Sequence, residues 1–372
     1  MFLTQIKNYS NTQFQRYLIG SAIIIAFSIL GQIPLLLGWI AKLGVEGMQN
    51  TLQTELMQIL DPNTTLVLAM LSFVFALFGL LIVVKKIHLQ PFKTIITARK
   101  KVDWKRVFFS FIIFGAFVCI STYVDYTNNP EHYLWNFKLG PFIGLLIIAV
   151  ILIPIQTSVE ELVFRGYLMQ GFKSATNTPP FLIAVFTTLV ILISILTVNS
   201  LISVSTWWNI AIIAFLILVG KIIHNSLKKV NFYDSEKGLN FLKFSNNNFF
   251  PLCITSVIFG GMHITNPEIQ ELGYVALVFY ISTGFFLGIT TLMDNGMELA
   301  LGFHAANNLF TALLVTADWS ALQTNSVLKD VSEPSVGYQI LLPVIVIYPL
   351  LLFVFAKRYK WTNWKQRLLG NL

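Results

Sequence analysis

A chain of 372 residues with 55% hydrophobic residues, 11% charged residues and a mean hydropathy of +0.71 is not a soluble domain, in which roughly a quarter of residues carry charge. The formal charge of +8 does not indicate nucleic acid as a partner, because the basic residues are spread over connecting segments rather than gathered on one polar face. Cys119 and Cys253 are far apart and each lies in an apolar stretch, so they read as packing residues rather than a disulfide or a metal-binding pair.

A helix needs roughly 20 mostly apolar residues to cross a bilayer. Such stretches occur at 17–40, 66–84, 107–124, 141–172, 181–198, 208–223, 249–263, 274–293, 298–316 and 338–356. They predict an all-α, polytopic membrane protein with about ten transmembrane helices and both termini cytoplasmic. Residues 1–16 read as a polar lead. The first apolar stretch is too long for a cleaved signal peptide and has no small-residue cleavage site after it, so it is expected to remain as an anchor. With the N-terminus inside, 22 of the 25 Lys and Arg residues fall on the inner side and 3 on the outer, as the positive-inside rule requires. The inner segment Lys85–Arg106 is the most basic. Its expected role is orientation, with attraction to anionic headgroups secondary. His88, His132 and His224 fall in loops or at helix ends and are expected to be solvated. With neither repeats nor low-complexity tracts, the chain divides into N-terminal helices with the basic loop (1–140), a core (141–316) and a C-terminal helix with a basic tail (317–372).

The information lies in the ionisable residues inside the apolar stretches, each costing about 2.5–3.5 kcal/mol at a helix centre. The stretch from Pro141 carries Glu160, Glu161 and Arg165. Glu161 and Arg165 are spaced to pair on one helical face, whereas Glu160 lies about 100° around the axis without a local cation. The stretch 249–263 ends in His263, with Phe259 on the same face and Gly260 and Gly261 permitting close helix approach. The stretch 298–316 carries His304 and Asn308 on one face. Each element alone has a structural explanation: a self-neutralising Glu161–Arg165 bridge, or polar glue between helices at His263, His304 and Asn308.

Their depths suggest that they meet. At ~1.5 Å per residue from the inner helix ends, Glu160 lies ~18 Å up, His263 ~21 Å, His304 ~10 Å and Asn308 ~16 Å. A carboxylate beside an imidazole can share a water and act as a general base. Two histidines with a carboxylate, His263 and His304 as ligands, suit equally a divalent metal such as zinc with an open position. Both alternatives remain open at this level.

EELVFR at 160–165, FGGMH at 259–263 and HAANN at 304–308 resemble, in order, the EExxxR, FxxxH and HxxxN motifs of the CPBP family, the CAAX proteases and bacteriocin-processing enzymes also called Abi. The resemblance covers residues 141–316. It implies an intramembrane endopeptidase in which Glu160, with His263, activates the hydrolytic water. It further implies that His304 and Asn308 are metal ligands or oxyanion stabilisers, and that Glu161 and Arg165 support the site. The implied partners are membrane lipids and a membrane-associated or lipidated protein or peptide substrate, in a multi-pass protein of the cell membrane.

One departure stands out. Glu160 and His263 are separated by 102 residues, where the family has a short connection. The extra length holds two apolar stretches and a basic segment, an insertion at about 181–248, and two added crossings leave the flanking helices antiparallel. Signatures of other intramembrane proteases, HExxH, GxSxG and GxGD, are absent from the sequence. A non-catalytic scaffold of the same fold is an alternative. An ion-coupled transporter is a weaker one, because its charges would line a path rather than a narrow band of depth.

Overall fold

The computed structural model describes residues 1–51, 53–175, 222, 225–227, 229–335 and 337–370. The two apolar stretches of the insertion, 181–198 and 208–223, lie outside these residues but for position 222, as does His224. The other eight predicted spans coincide with helices.

The first is α1 (Phe14–Asn50), broken near its outer end where Gly44 takes φ +69°. The next is α2 (Pro62–Ile82), started by Pro62 and by Asp61, which accepts the Thr64 N–H at 3.2 Å. Next, α3 (Trp104–Asn128) is capped by Asp103, which accepts the Lys105 N–H at 3.1 Å. A long rod follows, made of α4 (Leu139–Glu161), a π-helical segment Leu162–Leu168 and α5 (Met169–Ala175). The remaining spans are α6 (Phe249–Gly261), α7 (Ala276–Asp294), α8 (Glu298–Leu314) and α9 (Tyr348–Tyr359), the last preceded by further helical turns from Tyr338.

Six of the described helical stretches are long and apolar enough to span a bilayer, and α6 is a shorter apolar helix. Residues facing outward on the long helices are apolar, including Ile25, Ile29 and Leu37 on α1, Ile147 and Ile151 on α4, and Phe353 on α9. A soluble helix would place charge there, so the chain is a polytopic helical membrane protein whose solvent on these faces is lipid.

Helix contacts follow the small residues. A Cβ on Gly284 of α7 would sit 2.9 Å from the Ser256 Cα of α6, and the backbone of Val107 on α3 lies directly against Gly302 of α8. Gly260 likewise abuts Ile281, whereas Gly261 faces open space, so only one glycine of that pair serves close packing. The core is aromatic, with Phe114 against Phe303 at 4.0 Å and Phe286 stacked on Tyr348 at 4.7 Å.

Four features depart from the sequence reading. A small three-stranded sheet, β1 (Tyr133–Trp135), β2 (Val315–Ala317) and β3 (Leu328–Asp330), in the order β1–β3–β2, caps the end of the bundle opposite the basic loop. The β1–β3 pairing is antiparallel and the β2–β3 pairing parallel. Residues 1–16 are not simply polar: a short helix Leu3–Asn8 buries Phe2, Leu3 and Ile6 against the basic end. His88 is not solvated but 1% exposed, because Asn11 O and Tyr167 Oη take its two ring nitrogens at 2.7 and 3.1 Å. Finally, the basic loop is partly tied down. Arg99 bridges Asp294 and Glu298, both at 2.8 Å, and Arg106 reaches Asp294 at 2.5 Å.

Candidate active site

The rod of α4 brings two adjacent carboxylates to the middle of the bundle, at the point where the helix widens. Glu161 closes the α-helical part and Arg165 lies in the π-helical turns that follow, a local distortion that commonly marks functional sites. The pairing expected from their spacing forms: Arg165 Nη1 donates to Glu161 Oε1 at 3.2 Å, with the side chains 1% and 0% exposed. Arg165 also donates to Gly284 O of α7 at 3.4 Å, and its guanidinium lies 4.1 Å from the Phe259 ring centre. It therefore ties the rod to both α6 and α7.

His304 of α8 stands between the two carboxylates. Its Nδ1 lies 2.8 Å from Glu161 Oε1 and its Nε2 lies 3.6 Å from Glu160 Oε2. An ionised carboxylate only accepts, so the shorter contact places a ring proton on Nδ1; in the neutral ring with that tautomer, the Nε2 lone pair faces Glu160. Glu160 is the more open of the pair, with its side chain 15% exposed. Among the described residues it forms no ion pair with a Lys or Arg, yet it has a local partner. Gln156, one turn earlier, donates its amide to Glu160 Oε1 at 2.5 Å.

Asn308 does not reach Glu160 directly. Its Nδ2 donates to Gln156 Oε1 at 3.0 Å, and its own Oδ1 accepts from Asn307 at 2.9 Å. A side-chain chain thus runs Asn307–Asn308–Gln156–Glu160, with the Gln156 amide orientation fixed at both ends. His263 sits just beyond the end of α6, where its Nδ1 donates to Phe259 O at 2.7 Å. This bond leaves Nε2 as the unprotonated nitrogen. Glu160, His304 and Arg165 all lie within electrostatic reach of the His263 ring.

Three residues at the site had no sequence signal strong enough to single them out. Gln156 was visible only as a polar residue one helical turn before Glu160. Tyr280 of α7, one aromatic among many, stacks on His263 with ring centres 4.1 Å apart at 18°, and its hydroxyl bonds the Asn266 side chain. Glu268, on the short helix Pro267–Leu272, accepts the Ala321 N–H at 2.7 Å and ties the turn after α6 to the segment between β2 and β3. Burial holds its carboxyl above the ordinary carboxylate range.

Among the described residues no group of three His, Cys, Asp or Glu side chains is arranged to hold an ion. His304 Nδ1 is committed to Glu161 and His263 Nδ1 to a carbonyl, which leaves the two Nε2 atoms and the Glu160 carboxylate as the donors that a metal would take there.

The fold and site together define a polytopic helical membrane protein with a carboxylate–imidazole cluster inside the bundle. Residues 238–310 match the family described as type II CAAX prenyl endopeptidase Rce1-like, which bears out the CPBP resemblance drawn from the three motifs. The matched segment takes in His263, His304 and Asn308 and begins after Glu160. The chain is also similar to "Uncharacterized protein YyaK" of Bacillus subtilis (strain 168), 26% identical over 307 residues, or 82% of this chain and 79% of that protein. No solved structure matches.

Proposed function

We propose that the protein is an intramembrane endopeptidase that hydrolyses a peptide bond of a membrane-associated or lipidated protein or peptide, with Glu160 as general base. The single observation that carries this reading is the gap between Glu160 Oε2 and His304 Nε2. At 3.6 Å two acceptors face one another at a separation too long for a direct bond, and a water donating one hydrogen to each satisfies both. The Rce1-like match supports the reaction class, and the burial of the cluster supports a site shielded from bulk water.

In this reading Glu160 takes a proton from that water as its oxygen attacks the scissile carbonyl carbon, and then passes the proton to the leaving amine. Gln156 holds the carboxylate in the attacking orientation. Glu161 fixes the His304 tautomer through Nδ1, and Arg165 neutralises Glu161. The Asn308 amide N–H not used by Gln156 is a neutral donor for the developing oxyanion. His263 contributes Nε2, its ring aligned by Phe259 O and by the stacked Tyr280 ring. No step is routed through a metal.

The test compares the peptide termini in membranes of cells carrying the wild-type chain or Glu160→Gln, followed by reconstitution of the purified protein with a differentially cut substrate. Cleavage is expected to fall at least 100-fold in the variant, within the range of general-base catalysis, and to survive exhaustive chelation. Undiminished cleavage by Glu160→Gln overturns the assignment of the base. Loss on chelation with recovery on zinc overturns the metal-free route.

A further inference from the structure

A second polar site lies at the basic end of the bundle. A cavity of about 400 Å³ opens there, with Arg99, Arg106, Lys360 and Arg367 in its wall and Asp294 as its one carboxylate. Four cations from the basic loop and the C-terminal tail thus converge on a space of ordinary ligand-pocket size.

The acids nearby do not saturate the cations. Asp294 is itself fully engaged, accepting from Arg99, Arg106 and Trp361 Nε1, the last at 3.0 Å. Arg106 commits Nε to Asp103 at 3.0 Å and Nη1 to Asp294, leaving Nη2. Arg367 commits Nη1 to Met293 O, leaving Nε and Nη2. Lys360 makes no ion pair with any described residue. Arg99 spends both terminal nitrogens on Thr97, Glu298 and Asp294, so it is the unused N–H donors of Arg106 and Arg367, with the Lys360 ammonium, that form a preorganised anion receptor suited to the paired oxygens of a phosphate.

The location narrows the ligand. The cavity is flanked by the Tyr359, Trp361 and Trp364 rings, side chains typical of the headgroup level. The positive-inside rule assigns this end to the cytoplasmic leaflet, where anionic phospholipids concentrate and basic pockets between helices bind their headgroups. We infer that the Arg99–Arg106–Lys360–Arg367 cavity is a binding site for the phosphate of an anionic phospholipid headgroup, separate from the Glu160 cluster and independent of the reaction performed there.

The experiment uses the full chain purified in a zwitterionic environment, with phosphatidylglycerol, phosphatidylcholine and inorganic phosphate as separate probes. It reads lipid retained in native mass spectrometry and the thermal midpoint. Lys360 has φ +52°, a conformation asparagine tolerates, so Lys360→Asn removes a cation without backbone strain. Arg367→Gln is the second variant and Lys85→Gln, an exposed lysine outside the cavity, the control. Phosphatidylglycerol should bind and stabilise, and each cavity variant should weaken retention about five-fold, equivalent to about 1 kcal/mol per basic residue, with Lys85→Gln unchanged. Equal retention of phosphatidylcholine, or equal loss in the control and cavity variants, overturns the site. Stabilisation by inorganic phosphate without retention of lipid overturns the lipid assignment in favour of a soluble phosphate.

Discussion

Replacing Arg165 by Met leaves Glu161 as a carboxylate that is 0% exposed, with only the His304 imidazole at 2.8 Å. Breaking a buried pair from one side costs about 3–5 kcal/mol, because the remaining charge has lost both water and its partner. Loss of the guanidinium over Phe259 at 4.1 Å adds ~0.5–2 kcal/mol. Glu160→Gln is expected to cost under ~1 kcal/mol, since the amide oxygen still accepts from Gln156 and the amide N–H can donate to His304. Glu161→Gln/Arg165→Met together should recover about 2 kcal/mol or more relative to Arg165→Met, because no buried charge then remains. Unfolding of the purified protein in mixed micelles, followed by tryptophan fluorescence, measures all three variants against the wild type. If Arg165→Met costs no more than Glu160→Gln, or the double variant is worse than the single, then Arg165 does not serve to neutralise Glu161.

Gln156→Leu should lower turnover roughly 10- to 100-fold, the equivalent of losing a hydrogen bond to a charged group, with the thermal midpoint little changed; equal turnover would remove Gln156 from the site. Gly284→Ala places a methyl 2.9 Å from Ser256 Cα and should destabilise by ~1–3 kcal/mol. Gly261→Ala, which meets nothing within 4 Å, should be neutral or slightly stabilising, and a shared midpoint for the two would contradict the close approach of α6 and α7. Burial raises the Glu268 pKa in the fold, so its contribution to stability is fully present below the unfolded value of ~4.3 and lost as pH rises through the folded value. Glu268→Gln should flatten that part of the stability–pH profile, and an unchanged slope would show that Glu268 is not its source.

Much of this arrangement was legible because a membrane sequence is mostly silent, so that the few ionisable residues stand out. Eight of the ten span positions and the Glu161–Arg165 pair follow from helical spacing, and depth makes a meeting of Glu160, His304 and His263 feasible. What spacing could not give was partner choice between neighbours of equal chemistry. Helical spacing brings Asn308 to the cluster but does not specify that it meets Gln156 rather than Glu160 itself. The burial of His88 and of Phe2, Leu3 and Ile6 was missed because both depend on long-range packing at the basic end. The sheet leaves no mark in the sequence because each of its strands has three residues, too short for an alternating pattern to register.

The two adjacent glutamates acquire different characters from this packing rather than from their own chemistry. Glu161 faces inward, where Arg165 and His304 Nδ1 converge on a single oxygen, Oε1, and it cannot be displaced without unseating α6, α7 and α8 together. Glu160, a hundred degrees further round, is met by a neutral amide and by a lone pair. The structure thus commits one carboxylate to holding His304 and leaves the other with an unmet demand for a proton donor. Because both contacts run through the same imidazole, the positions of Glu160 and Glu161 are coupled: whatever fixes the Glu161 side also sets the distance at which His304 Nε2 confronts Glu160. That coupling gives Arg165 a route to the Glu160–His304 gap through Glu161 and the shared imidazole.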